Sequence, residues 1–126
     1  MFNFAFEPDN GILTVKVVGN WTLPEVDRYA REAGPQFSDA RKRTGHLRLL
    51  IDLLDTVVLS QAIIEPLGKA GMQYSKPDDR VALVVNSTLM KMQMRRMIGN
   101  APTPIFLSLT EATDWLVSDK DAASAA

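Results

Sequence analysis

The chain has 126 residues, 46% hydrophobic and 23% charged, which makes it one domain able to bury its own core. Its 14 Lys and Arg against 15 Asp and Glu leave a net charge of −1, which excludes a nucleic-acid binder that works by bulk positive charge. With no cysteine and one histidine, His46, the chain has no disulfide, no thiolate chemistry and no Cys-based or multi-His metal site.

Phe2, Phe4 and Phe6 alternate with polar or small residues, as on one face of a strand. Pro8-Asp9-Asn10-Gly11 is a turn signal, and the β-branched run Ile12 to Val18 predicts a second strand in a hairpin with the first. Thr22 followed by Glu25 is a capping-box pattern with Pro24 in the first turn. Val26, Tyr29, Ala30, Ala33 and Phe37 then repeat at helical spacing up to a stop at Arg41-Lys42-Arg43-Thr44-Gly45. Gly34-Pro35 predicts a kink or break inside this helix.

Leu47 to Leu53 is nearly all apolar, as in a strand buried on both faces. Ser60 is the expected cap of a helix from Gln61 to Tyr74, weakly specified by Pro66, Gly68 and Gly71. Arg80 to Val85 reads as another buried strand. Asn86 or Ser87 caps a helix from Thr88 to Ile98. Ile105 to Leu107 is a short strand, and Thr110 is the expected cap of a last helix through Trp115 and Leu116. Residues 1–117 form the domain, and 118–126 are expected to be a disordered tail. The alternation after the hairpin predicts an α/β protein: a single mixed, mostly parallel sheet of about five strands with about four helices and right-handed crossovers. No apolar run approaches the ~18 residues of a membrane span and no basic targeting region opens the chain. The expectation is therefore a cytoplasmic, bacterial-type protein that does not span a membrane.

In such sheets ligands sit beyond the carboxyl ends of the parallel strands, here near Leu54 to Ser60, Asn86 to Thr88 and Ser108 to Thr110. No glycine-rich phosphate cradle lies there. Ser87 and Thr88 are a candidate anion contact at a helix start, with a plain cap as the competing reading. Asp52 and Asp55 lie three apart around a strand end, a spacing that does not imply convergence on one substrate. Asp52 reads as a strand-end residue bonding nearby backbone. A lone His46 beside Arg43 and Arg48 supports no catalytic triad. On the helix from Thr88, Met90, Met94, Met97 and Ile98 share the buried face, while Leu89 and Met92 fall among Lys91, Gln93, Arg95 and Arg96. That mixed apolar and basic side is a candidate docking face.

The element order resembles the STAS fold of anti-sigma-factor antagonists, and most closely the SpoIIAA-like, STAS/SEC14 branch. The echoes are Gly19-Asn20-Trp21-Thr22, Leu50-Ile51-Asp52, Val81 to Val85, Met92 to Arg96 and Thr110 to Leu116. The resemblance implies a non-enzymatic binding switch. In the family a serine at the start of the helix after the third strand is phosphorylated, within a motif resembling Asp-Ser-Ser-Gly. Here Leu59-Ser60-Gln61-Ala62 departs from that motif, leaving Ser60 as the lone candidate phosphoacceptor and better read as a cap. The leading expectation is docking of a protein partner through Leu54, Asp55, Thr56, Val57, Val58, Ser60 and Gln61 together with Leu89, Met92, Arg95 and Arg96. The alternative is a carrier or sensor of a lipid or other apolar small molecule, which requires a pocket under the helix of Gln61 to Tyr74, with Gly68 and Gly71 allowing movement. Neither reading calls for a cofactor, a metal or nucleic acid.

Overall fold

A computed structural model describes residues 1–57, 59–99 and 101–118. In chain order the elements are β1 (Phe2–Glu7), β2 (Ile12–Gly19), α1 (Leu23–Thr44), β3 (Arg48–Thr56), α2 (Gln61–Met72), β4 (Arg80–Val84), α3 (Thr88–Ile98), β5 (Ile105–Phe106) and α4 (Leu109–Val117). Among the described residues they build one five-stranded sheet in the order β1-β2-β3-β4-β5. β1 is antiparallel to β2, and all later pairs are parallel. The hairpin turns at Gly11, whose φ of 71° suits glycine. Asn10 Oδ1 closes the turn by accepting from the Ile12 N–H at 3.1 Å.

The sequential order explains the layers. Right-handed crossovers that each step to the next strand in the same direction place their helices on the same face. α1, α2 and α3 accordingly share one core with the inner residues of β1 to β4, from Phe2, Val15 and Val17 to Leu49, Leu53 and Leu83. α4 alone covers the other face, packing Ala112, Trp115 and Leu116 on Leu50, Ala82 and Val84. Arg80 lies over the Trp115 ring, 4.0 Å from its centroid. At the hairpin edge, Phe2 stacks on Trp21, and Tyr29 meets Phe2 and Trp21 edge-on. Such aromatic pairs contribute about 0.5–1.5 kcal/mol each beyond their burial.

Three local expectations are corrected. α1 runs unbroken through Pro35. Pro35 lies on the exposed side, so the Arg31 carbonyl that loses its donor faces water, while Tyr29, Ala33 and Phe37 stay buried on either side. Gly34 serves a different purpose, since a Cβ there would lie 3.0 Å from the Tyr74 ring. Ser60 occupies the cap position of α2, but its side chain makes no capping bond, and only its carbonyl accepts, from Ile63 and Ile64. α4 is capped by Ser108, whose Oγ accepts from the Glu111 N–H at 3.2 Å, and Thr110 lies inside the first turn. The expectations for Val58 and for the tail from 119 onward lie outside the described residues.

Candidate functional site

Two side-chain amides join the halves of the expected docking surface. Asn86, at the end of β4, donates from Nδ2 to the carbonyls of Leu54 (2.9 Å) and Thr56 (3.1 Å). Gln93, on α3, brackets Leu59: its Oε1 accepts from the Leu59 N–H at 3.0 Å and its Nε2 donates to the Leu59 carbonyl. The β3–α2 connection is thus pinned to β4 and α3, although the partners lie 30 to 34 positions apart in the chain. Val57 stands exposed on this connection, with Leu89 and Met92 exposed on α3 at 59% and 54%. Leu89, Met92 and Arg96 follow i, i+3, i+7 spacing and form one stripe along α3. Ser60, Gln61 and Arg96 are also exposed. Arg95 is exposed and donates to the Thr103 carbonyl at 3.0 Å. Met90 and Met94 are buried against the sheet, as their spacing predicts.

The remaining sequence candidates sit elsewhere or are already occupied. Leu54 is half-buried against the α4 core, and buried Thr56 donates its hydroxyl to the Leu53 carbonyl at 2.8 Å. Both support the surface from beneath. Ser87 caps α3, its Oγ accepting from the Met90 N–H at 3.1 Å, while Thr88 is exposed beside it. Asp52 bonds the Leu54 N–H at 3.0 Å, as its strand-end position suggests. Asp52 and Asp55 also converge, which their spacing alone does not imply, because both carboxylates reach the Lys16 ammonium, at 3.4 and 3.0 Å. Residues i and i+3 of a regular strand face opposite sides. Here Lys16 pairs with Asp52 and Val18 with Asp55, so β3 carries an extra residue that turns Asp55 to the same side. The hydrogen bond to Asp55, followed by the charge of Asp52, raises the Lys16 pKa. The pair is spent on an internal ion pair, and among the described residues no cluster of three or more acidic or His side chains is placed to hold a metal.

Sequence reasoning at the carboxyl ends of the strands did not point to a concavity at their other end. An apolar cavity of about 480 Å³ runs between the sheet and the three helices of the first layer. Leu49, Ile51 and Leu53 of β3 are its floor, Gly68 and Gly71 of α2 its roof, and buried Tyr29 of α1 part of its wall. It opens between the α2–β4 connection, at Ser75 to Pro77, and the α3–β5 connection, at Ala101 to Thr103. Those are the amino ends of the parallel strands. A pocket under α2 was the condition set by the small-molecule alternative, in which Gly68 and Gly71 allow the helix to move. Close by, Arg41 donates to both carboxylate oxygens of buried Asp79 and to the Tyr74 carbonyl, holding the α2–β4 connection against α1.

No family model matches the sequence, and no curated protein matches it. Among solved structures, the chain is similar to an anti-sigma factor antagonist from Mycobacterium paratuberculosis, with 15% identity over 94% of this chain and 96% of that one and a TM-score of 0.67. It is similar to an uncharacterised DUF3478-family protein with a SpoIIAA-like fold from Shewanella loihica, with 23% identity over 92% of each chain and a TM-score of 0.64. It is also similar to the anti-sigma factor antagonist SpoIIAA in its unphosphorylated form, with 10% identity over 92% of this chain and 97% of that one and a TM-score of 0.63. These likenesses, together with one mixed sheet of five strands and four helices, establish that the chain has the SpoIIAA-like, STAS-like fold.

Proposed function

We propose that this chain is a non-enzymatic regulatory module that docks a protein partner through the β3–α2 connection and the outer stripe of α3. The observation that carries the reading is the Gln93 bracket on Leu59, which ties the connection that carries exposed Val57 to the helix that carries exposed Leu89, Met92 and Arg96. Large apolar side chains exposed beside a cation suit a partner with an apolar ridge and a flanking carboxylate. Two of the similar structures are anti-sigma factor antagonists, which supports a regulatory role. The internal Lys16 ion pair and the spent Ser87 hydroxyl favour binding over catalysis. The test compares affinity capture from the host by the native chain, by Leu89→Glu with Met92→Glu, and by Arg31→Glu on the exposed side of α1. A partner held by the native and Arg31→Glu chains and lost by the double variant is expected. The same partners held equally by all three would overturn the reading. A second activity, binding of an apolar small molecule, is supported by the cavity beneath α2.

A further inference from the structure

An open concavity of about 510 Å³ lies between the β1–β2 turn, the end of α1, the start of β3 and the end of α4. That volume falls within the roughly 300–1,000 Å³ of small-molecule sites. It shares no lining residue with the cavity beneath α2 and sits at the opposite ends of the strands from the docking surface. Arg48, the first residue of β3, lines it. Arg48 is half-buried, and its Nε is covered without a hydrogen-bond partner. Its guanidinium forms no ion pair among the described residues. The register sets Arg48 beside Arg80 of β4, so two guanidiniums leave the same face of the sheet. Arg80 is turned to the Trp115 carbonyl and ring. Like charges directly opposite each other destabilise a strand pair, and a covered donor without an acceptor costs more. An anion seated on Arg48 relieves both.

The same lining holds the opposite charge. Asp9, exposed in the hairpin turn, forms no ion pair with Arg48 or any other cation among the described residues. Asn10 spends its Oδ1 on the Ile12 N–H, which leaves its Nδ2 as a further donor in the lining. Gly11 makes the room: a Cβ there would lie 2.9 Å from Thr44 Cγ2 and 3.1 Å from Arg48 Nη1. Pro8 and Val117 add apolar wall. A cation and an acid that share one concavity without pairing suit a ligand that carries both signs. Its carboxylate matches the planar fork of Arg48, and its ammonium matches Asp9. Asp9 repels a dianionic phosphate, and the two guanidiniums repel a bare cation.

We propose that this concavity binds a free aliphatic α-amino acid, its carboxylate on Arg48, its ammonium on Asp9 and its side chain against Pro8 and Val117. The site goes beyond the docking reading and is independent of it.

The test follows the amide NMR signals of the full chain during titration with L-leucine. The comparison ligands are isocaproate, which lacks the ammonium, isoamylamine, which lacks the carboxylate, and inorganic phosphate. Saturable shifts of the Gly11 and Thr44 amides by L-leucine are expected, with the Leu59 amide of the docking surface unmoved. Arg48→Gln should weaken L-leucine about tenfold, as loss of a charge-assisted hydrogen bond does. Asp9→Asn, an exposed change, should weaken it about threefold. Isocaproate and isoamylamine should both bind the native chain more weakly than L-leucine. Isocaproate as tight as L-leucine, or phosphate tighter than either, would overturn the amino-acid assignment. No saturable shift with L-leucine, or undiminished binding to a folded Arg48→Gln chain, would overturn the site. Should Arg48→Gln fail to fold, the Asp9→Asn chain and the two analogues decide the proposal.

Discussion

Replacing Gln93 with Leu removes the bracket that shapes the docking surface while keeping side-chain size and helix propensity. Leu59 is 5% exposed, and its N–H and carbonyl are both bonded to Gln93. Leaving a buried polar group without a partner costs roughly 1–3 kcal/mol. Two groups are orphaned, but Val57 and Ser60 on either side are exposed, so the connection swings outward and recovers part of the loss in water. The expected cost is about 2 kcal/mol. At ~2.1 cal/mol/K per residue, a chain of 126 residues unfolds with an entropy of ~0.26 kcal/mol/K, so Tm falls by about 8 °C. Hydrogen exchange reads the local part. The Leu59 amide should exchange about thirtyfold faster in Gln93→Leu, while amides at the centre of β3 keep their order of protection. A Leu59 amide that exchanges at the native rate, with Tm moved by less than about 2 °C, would refute the view that Gln93 holds the connection.

Arg41→Ala strands the Asp79 carboxylate, which is 5% exposed, and should cost about 3 kcal/mol in urea unfolding. Asp79→Leu added to Arg41→Met should recover most of that loss. The two helical glycines should respond with opposite sign: Gly71→Ala, in open space, gains about 0.5–1 kcal/mol, whereas Gly34→Ala, pressed on the Tyr74 ring, loses stability despite its better helix propensity. Equal melting shifts for the two would contradict the packing described. Burial pushes the Tyr29 phenol up, and the Asp55 hydrogen bond with the Asp52 charge raises Lys16. Both groups hold their protons more tightly folded than unfolded. Their contribution is therefore complete below the ordinary values of 10.0 and 10.5 and is lost as pH rises through and above them. Tm should fall on the alkaline side, and Tyr29→Phe should flatten that fall. An identical alkaline profile in the variant would exclude Tyr29 as a source.

The fold was legible because its signals are periodic and local. Phe2, Phe4 and Phe6 alternate, the apolar runs of β3 and β4 are bounded by turn residues, and the α3 methionines repeat at helical spacing. Errors arose where two local signals competed. Ser108 and Thr110 are both capping types, and Ser108 wins because Glu111 follows it by three, a pattern present in the sequence but passed over. Pro35 breaks nothing because tertiary burial of Ala33 and Phe37 on its flanks outweighs one lost backbone bond. The bulge that turns Asp55 toward Lys16 has no local signature, since it is a property of the pairing between β2 and β3. Half of the site was legible for the same reason as the helices: Leu89 and Met92 stand out against the buried stripe of α3. Gln93 and Asn86 were unreadable as clamps because their partners lie 30 to 34 positions away in the chain. The cavity is a shape between layers, which no single segment of the sequence encodes.

The most direct test of the docking surface is photo-crosslinking in the host cell, with a photoreactive side chain at Met92 and, as a reference, at Arg31 on the exposed side of α1. A discrete protein adduct from position 92, absent from position 31 and lost when Gln93→Leu is added, is the expected result. No protein adduct at position 92, or the same adducts from both positions, would contradict the assignment of this surface.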